Sequence, residues 1–174
     1  KEDDEEILKK RDAKLKSSFL DAISEVKQSR DNEGAATYQM LTDVLNEIER
    51  LLVEGEDIAA QQPQALKNKF LDKVNALLEK SNFDAERITQ EVVILATKAD
   101  VKEETDRLHA HISSARSLLK EKGAVGRKLD FLCQEFNREA NTLCSKSTDI
   151  ALTNIGLSLK TAIDQFREQV QNVE

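Results

Sequence analysis

Apolar residues recur at steps of three and four along most of this chain, and few residues break the pattern. That spacing places apolar side chains on one face of an α-helix, whereas proline and glycine usually end one. The 174 residues include one proline and five glycines. Aromatic residues make up only 4% of the chain, which disfavours a β-sheet, since strands are rich in aromatic and β-branched residues. We therefore predict an all-α fold, in which long antiparallel helices pack as a helical bundle with coiled-coil-like seams.

The N-terminal part of the chain carries two heptad-like seams. The first consists of Leu15, Phe19, Ala22 and Val26, and the second of Tyr38, Leu41, Leu45, Ile48 and Leu52. We expect a bend or a short break near Gly34, where the register shifts, and an interruption between Gly55 and Pro63. This interruption predicts a protruding helical hairpin arm in residues 1–80 and a C-terminal helical domain in residues 81–174. Long amphipathic helices must bury their seams, so we also expect a homo-oligomer.

Three further helices are predicted near the C-terminus. The first begins at Asp100 and leads to a short connector, KGAVG, which Gly123 and Gly126 bracket. The second helix then continues to about Lys146, and the third follows a turn at residues 147–149. A connector this short makes the first two helices antiparallel neighbours. Their polar faces are then expected to line one groove.

The helix that begins at Asp100 has a polar face of mixed charge. At ~100° per residue, one arc of about 100° holds Asp100, Glu103, Glu104, Arg107 and His111. Glu103 is also placed to complete a capping box with Asp100, and His109 is expected to face water. Such a face suits a metal site or an acid–base pair. The alternative is a network of salt bridges between residues four apart.

The following helix combines a regular apolar stripe with an unusual polar surface. Its stripe consists of Leu129, Leu132, Cys133, Phe136, Ala140, Leu143 and Cys144. Off the stripe lie Arg127, Lys128, Gln134, Glu135, Asn137, Arg138, Glu139, Asn141 and Lys146. Helix surfaces that serve only solubility are usually coated with Glu and Lys, so the crowded amides indicate specific contacts, with a plain solvated face as the alternative. Phe131 also lies off the stripe, where it either packs against a neighbouring helix or subunit or stacks on a nucleobase.

The charge of the chain argues against a simple grip on nucleic acid. The formal net charge is −7, and residues 1–86 hold most of the acidic excess. Residues 114–128 nevertheless carry five basic side chains and Glu121 as the single acidic one. This local patch is able to attract phosphates. Ordinary complementarity between basic residues and the end of a helix dipole is the other explanation.

The cysteines and the hydropathy pattern indicate a cytoplasmic protein. Cys133 and Cys144 lie on one helix, about 16 Å apart along its axis, so they cannot form a disulfide with each other. We expect two small buried thiols in a reducing compartment. No apolar run approaches the ~20 residues that span a bilayer, so no membrane partner is expected.

One long segment resembles a known family. The run GRKLDF–QEFNREANTL–SKS, preceded by QEV–L–K-D–EE–RL–H and followed by REQVQN-E, is similar to the C-terminal region of the YicC-like bacterial proteins. The resemblance is close from about Arg87 to Glu174. It implies an endoribonuclease that acts on RNA as a homo-oligomer. It also implies an additional N-terminal domain, which the chain beginning at Lys1 lacks.

The resemblance also gives the polar residues expected roles. The predicted catalytic residues are His111, Glu104, Glu135 and Glu139. Among them, His111 is the side chain that exchanges protons near neutral pH. The predicted RNA-binding residues are Arg107, Arg127, Lys128, Asn137, Arg138, Asn141 and Lys146. The predicted ligands of a divalent metal, Mg²⁺ or Mn²⁺, are Glu91, Asp100 and Glu103, since hard cations prefer carboxylate oxygens. The alternative is a non-catalytic helical scaffold or RNA-binding adaptor, whose polar clusters would be salt-bridge networks.

Overall fold

The computed structural model describes residues 2–78, 90, 94, 97 and 99–173, with side chains for 6–61, 68, 90, 94, 97 and 99–173. The elements in this part of the chain are four α-helices: α1 (Glu2–Leu78), α2 (Lys102–Leu118), α3 (Gly126–Lys146) and α4 (Ile150–Val170). The predicted all-α fold is therefore confirmed. Within residues 84–98, the described positions are 90, 94 and 97, and these three are also helical.

The predicted interruption between Gly55 and Pro63 is wrong, because α1 continues as one helix from Glu2 to Leu78. The hairpin turn expected within residues 1–80 is therefore absent up to Leu78, and no helix break occurs at Gly34. Gly55 serves packing instead: a Cβ there would meet Ile155 Cγ2 at 3.2 Å. The glycine that was taken as a helix end allows α1 and α4 to approach each other closely.

The chain divides into two units, residues 1–39 and residues 40–174. In the first unit, the described side chains are almost all exposed, including the predicted seam residues Leu15, Phe19 and Val26. Phe19 is 66% exposed. The seam thus exists as a helical face, but no other part of this unit covers it. The predicted homo-oligomer stays a prediction.

In the second unit, the end of α1 and the helices α2, α3 and α4 share one apolar core. The second predicted seam is confirmed at Leu41, Leu45, Ile48 and Leu52, which are each at most 1% exposed. The largest other side chains that are fully buried in this core are Leu108, Leu129, Phe136, Leu143, Leu152, Leu159, Ile163 and Phe166. No helix among the described residues is long and apolar enough to cross a membrane.

Polar contacts show that α1 and α2 run antiparallel within this unit. Arg116 Nη2 lies 2.7 Å from Glu49 Oε2, and His109 Nε2 lies 3.3 Å from Glu56 Oε2. Positions later in α1 thus contact positions earlier in α2. His109 faces water only in part: 38% of its side chain is exposed, and its ring also contacts Glu56 of α1.

The connector between α2 and α3 returns the chain as predicted. Gly123 has a φ of +112°, in the left-handed region that favours glycine. Lys128 Nζ lies 2.8 Å from Glu121 Oε2 near this turn, and Lys146 pairs with Glu104 at the far end of the two helices. The two helices are therefore antiparallel along their whole length, as predicted.

At the start of both α2 and α4, an aspartate side chain accepts a hydrogen bond from a backbone N–H. Asp100 Oδ1 accepts a hydrogen bond from the N–H of Lys102 at 2.9 Å, and Asp149 Oδ1 accepts one from the N–H of Ala151 at 2.6 Å. Asp149 is the N-cap of α4. The N-cap position of α2 is Val101, so the contact made by Asp100 lies one residue before the cap, and the predicted N-cap role of Asp100 is wrong. Glu103 does not reach back as a capping box requires, because its carboxylate instead pairs with Arg107.

Candidate functional site

Three side chains that could hold a metal ion converge between α2 and α3. One potential ligand atom from each of His111, Glu135 and Glu139 lies within 4.8 Å of the others. Glu135 and Glu139 are one helical turn apart on α3, so they face the same direction, and the antiparallel register brings His111 of α2 opposite them. No other group of this kind occurs among the described residues. We call these three residues the His–Glu cluster.

The imidazole of His111 is fixed in place by packing rather than by hydrogen bonds. Its ring meets that of Phe136 edge to face, with centroids 5.8 Å apart and an interplanar angle of 76°. Its Nε2 is buried and has no hydrogen-bond partner among the described residues. A buried polar atom without a partner is costly. This nitrogen is therefore available to bind a ligand.

Glu139 is a buried carboxylate whose charge is balanced by Arg107. Glu139 is 2% exposed, and Arg107 Nη1 lies 3.3 Å from its Oε1. The hydrogen bond to Glu139 and the nearby charge of Glu103 raise the pKa of the Arg107 guanidinium, which keeps it charged. A buried carboxylate needs such a partner to remain ionised. Arg107 was predicted to bind RNA, but in the structure its contacts hold Glu139 and Glu103.

A second buried ion pair joins α2 to α3. Lys146 Nζ lies 2.9 Å from Glu104 Oε1 and 3.0 Å from its Oε2, and Glu104 is 5% exposed. Two predicted functional residues are thus paired with each other. The catalytic role of Glu104 and the RNA-binding role of Lys146 stay predictions, and the contact itself secures the helix pair.

The predicted metal ligands stay a prediction, because Glu91 lies outside the described residues. Of the other two, Asp100 accepts a hydrogen bond from the N–H of Lys102, and Glu103 pairs with Arg107. The His–Glu cluster instead consists of three residues that were predicted to be catalytic. Sequence spacing indicated that Glu135 and Glu139 share a face, but only the register between the two helices could select His111 as their neighbour.

Two open grooves border α3, and they contain most of the predicted RNA-binding residues. The groove on the α2 side, which we call the Phe131 groove, has a volume of about 700 Å³. It is lined by Ser113, Ser114, Ser117, Leu118, Glu121, Arg127, Lys128, Phe131 and Leu132. Arg127 and Lys128 were predicted from the sequence, and the serines were not.

The groove on the α4 side, which we call the amide groove, has a volume of about 720 Å³. It is lined by Gln134, Asn137, Arg138, Asn141, Thr142, Lys160, Asp164 and Arg167. Its basic residues Lys160 and Arg167 were missed by the sequence reasoning, because the polar face of α4 alone gives no sign that it borders α3.

Arg138 joins the amide groove to the His–Glu cluster. Its Nη1 lies 3.7 Å from Glu135 Oε2, and 66% of its side chain is exposed. Arg138 thus lies beside the His–Glu cluster and contacts it through Glu135.

Comparison with known proteins assigns the family. The family described as "Endoribonuclease YicC-like, C-terminal" matches residues 53–174. The chain belongs to this family. It is 38% identical over 164 residues to the "Probable endoribonuclease YicC" of Haemophilus influenzae, a match that covers 92% of this chain and 55% of the relative. It is 35% identical over 179 residues to the protein of the same name from Clostridioides difficile. This match covers 100% of this chain and 59% of the relative.

Membership of the YicC-like family confirms the resemblance seen in the sequence and extends it into α1. The matched residues include α2, α3 and α4 entirely, and hence the His–Glu cluster and both grooves. The chain spans between half and two thirds of the length of these two relatives.

Proposed function

We propose that this chain is part of an endoribonuclease that cleaves RNA phosphodiester bonds internally with the help of a divalent cation. The observation that carries the proposal is the convergence of His111, Glu135 and Glu139 between two helices. Support also comes from the two relatives, which are named probable endoribonucleases. Two carboxylates and an imidazole suit Mn²⁺ better than Mg²⁺, because Mn²⁺ accepts nitrogen and oxygen ligands, whereas Mg²⁺ prefers oxygen ligands.

The residues around the cluster prepare it for a charged substrate. A bound divalent cation would polarise the phosphate and offset its charge. Arg107 orients Glu139 through their ion pair, and the ring of Phe136 packs against that of His111. Arg138 contacts Glu135 and has a largely exposed side chain, so its guanidinium is placed to grip a phosphate beside the cluster.

The RNA chain is proposed to lie along the exposed surface of α3. Arg127 and Lys128 line the groove on one side, whereas Arg138, Lys160 and Arg167 line the groove on the other. Such local positive charge attracts a polynucleotide even though the formal net charge of the chain is −7. Asn137 and Asn141 offer amide groups that can hydrogen-bond base edges.

We also propose that the protein acts as a homo-oligomer. Leu15, Phe19 and Val26 form an exposed apolar seam in residues 1–39, and a second copy of the same seam is a matching partner. Phe19→Asp should lower the assembly state in analytical ultracentrifugation, whereas Ser18→Asp on the exposed surface of the same helix should not. Identical assembly of both variants with the wild-type protein would contradict this route to oligomerisation.

The cluster is tested by comparing Glu135→Gln and Glu139→Gln with Glu168→Gln, an exposed glutamate on α4. The substrate is end-labelled single-stranded RNA, and Mn²⁺ is titrated with and without a chelator. Loss of one charged ligand should reduce kcat by about 100-fold or more, as outer-shell changes alone cost 10–100-fold in metal sites. The cluster variants should also bind Mn²⁺ more weakly in the absence of RNA.

Two controls complete this experiment. Glu168→Gln should cleave like the wild-type protein, and circular dichroism should show the same helix content in all variants. Unchanged cleavage in both cluster variants, or full activity in the presence of chelator, would contradict the metal-assisted mechanism.

A specific observation favours the alternative of a non-catalytic RNA-binding adaptor. Arg107, Glu139, Glu104 and Lys146 are engaged in ion pairs between α2 and α3, as expected of a scaffold. An adaptor would bind RNA without metal-dependent turnover at any protein concentration. Single-turnover assays with protein in excess over labelled RNA separate the two functions.

A further inference from the structure

Phe131 is an exposed aromatic side chain on a helix that otherwise buries its large apolar residues. It is 60% exposed, whereas Phe136 on the same helix is fully buried. The ring contacts found among the described residues join His111, Phe136 and Phe166, and Phe131 takes part in none of them. Phe131 therefore has no aromatic packing partner among the described residues, and most of its ring is open to a ligand.

The surroundings of Phe131 fit a nucleotide better than an apolar partner. Arg127 lies one helical turn before it in the same groove, and no described residue forms an ion pair with its guanidinium. Lys128 adds a second cation, held by Glu121 at 2.8 Å. A flat apolar ring flanked by a guanidinium is the combination that stacks a nucleobase and binds its phosphate.

The hydroxyl groups opposite Phe131 strengthen this interpretation. Ser114 and Ser117 each donate a hydrogen bond to a carbonyl of their own helix, at 2.9 Å and 3.0 Å. Their oxygens can therefore still accept hydrogen bonds from a base or a ribose hydroxyl. An apolar occupant would leave these polar groups and the Arg127 charge poorly solvated.

The position of the groove relates it to the His–Glu cluster. Phe131 precedes Glu135 by four residues on α3, which corresponds to about 6 Å along the helix axis. A base on Phe131 would thus belong to a nucleotide close to the phosphate that the cluster holds. Bases within a duplex are stacked on their neighbours, and only unpaired bases can lie on a protein ring.

We propose that Phe131 and Arg127 form a subsite for one unpaired nucleobase and its phosphate, through which the protein selects single-stranded over double-stranded RNA. The position of this subsite relative to cleavage rests on the proposed function, whereas base binding itself does not.

The test uses short single-stranded RNAs that carry the fluorescent base 2-aminopurine at successive positions, bound to the full-length protein without divalent metal. Stacking quenches this base, so the wild-type protein should quench it most strongly at one position. Phe131→Ala should abolish that quenching and weaken binding about 10-fold, in the range reported for loss of one base–aromatic stack. Phe131→Trp should retain both.

Two matched comparisons make the result specific. Leu157→Ala removes an apolar side chain on α4 that is 53% exposed and lines neither groove, so it should bind RNA like the wild-type protein. Arg127→Gln should weaken binding and reduce its salt dependence, since one phosphate contact is lost. Affinity for a blunt RNA duplex should be unchanged by Phe131→Ala.

Three outcomes would overturn the subsite. They are equal RNA binding by Phe131→Ala and Leu157→Ala, equal loss of duplex and single-strand binding, and a change in assembly state with unchanged RNA affinity. The last outcome would mean that a second copy of the chain covers Phe131. Position-specific quenching without any RNA cleavage would support the subsite and contradict the proposed function. Cleavage of RNA that is unaffected by Phe131→Ala would support the proposed function and contradict the subsite.

Discussion

The two flanks of α3 differ sharply in what they bury. Toward α4, apart from the polar side chains of the amide groove, the contact is apolar and close: a Cβ at Gly156 would overlap Cys144 Sγ and meet Leu143 Cδ2 at 3.3 Å. Toward α2, the same helix presents Glu135 and Glu139 to His111 and Arg107. The flank of α3 that faces α4 thus resembles a protein core, whereas the flank that faces α2 resembles a ligand-binding site.

This difference separates stability from function. Apolar burial contributes about 1.5–3 kcal/mol for each large side chain. A buried ion pair contributes little net stability, since the desolvation of the charges offsets their attraction. The polar flank is therefore expected to be maintained for its geometry, and the apolar flank to determine whether the helices stay together. The following predictions test this division, from the largest expected effect to the smallest.

Phe166→Ala should lower the free energy of unfolding by about 3–5 kcal/mol, as expected for a fully buried phenylalanine. Phe166 is 0% exposed and meets Phe136 at 6.3 Å between ring centroids. Urea denaturation followed by circular dichroism measures the change. RNA affinity per folded molecule should stay near the wild-type value, and a large loss of affinity in folded protein would contradict the separation of the two flanks.

Lys146→Ala should cost about 2 kcal/mol of stability, because it leaves the buried Glu104 carboxylate without its partner. Glu104→Ala should cost about 1 kcal/mol or less, since the longer lysine side chain can turn its charge to water. The side chains of Lys146 and Glu104 are 30% and 6% exposed, and this inequality is the reason for the asymmetry. Equal losses in thermal denaturation would show that the pair is not buried as the structure has it.

Gly156→Ala should destabilise the protein by about 1–3 kcal/mol, because the added methyl group overpacks the contact between α3 and α4. Gly34 is the matched control, as a Cβ there would meet nothing within 4 Å. Gly34→Ala should be neutral or stabilising by up to about 1 kcal/mol, the usual gain for this change inside a helix. Differential scanning calorimetry on both variants measures the contrast.

Cys133, which is buried on α3, is expected to make the free energy of unfolding depend on pH. Burial raises the pKa of the Cys133 thiol to about 12, so above its ordinary pKa the unfolded chain releases a proton that the folded chain retains. The sign is therefore a loss of stability as the pH rises from about 9 toward 12, amounting to about 1 kcal/mol by pH 10. Cys133→Ala should lack this loss, and parallel pH profiles for the two proteins between pH 8 and 10 would contradict it.

Several features of the fold were predictable from local pattern. The limits of α3 and its buried stripe both depend on contacts within one or two helical turns. The seam from Leu41 to Leu52 was predictable for the same reason, since it reflects helical periodicity alone. Gly55 was misjudged because its purpose is the approach of another helix, which no local pattern reveals.

The candidate site also could not be predicted fully from local sequence pattern. Residue types and helical spacing suggested a charged face on each of α2 and α3, but both faces allowed a metal site, an acid–base pair or salt bridges. Packing selected among them: it paired Arg107 with Glu139 and Lys146 with Glu104, and it left His111 Nε2 without a hydrogen-bond partner among the described residues.

Local periodicity was thus enough to establish which segments are helical and which faces turn inward, because both depend on neighbours a few residues apart. Which charged groups meet, which glycine lies at a helix crossing and which aromatic ring stays exposed depend on the register and spacing between helices. Those are set by the summed packing of a shared core, and they involve residues that are far apart along the chain.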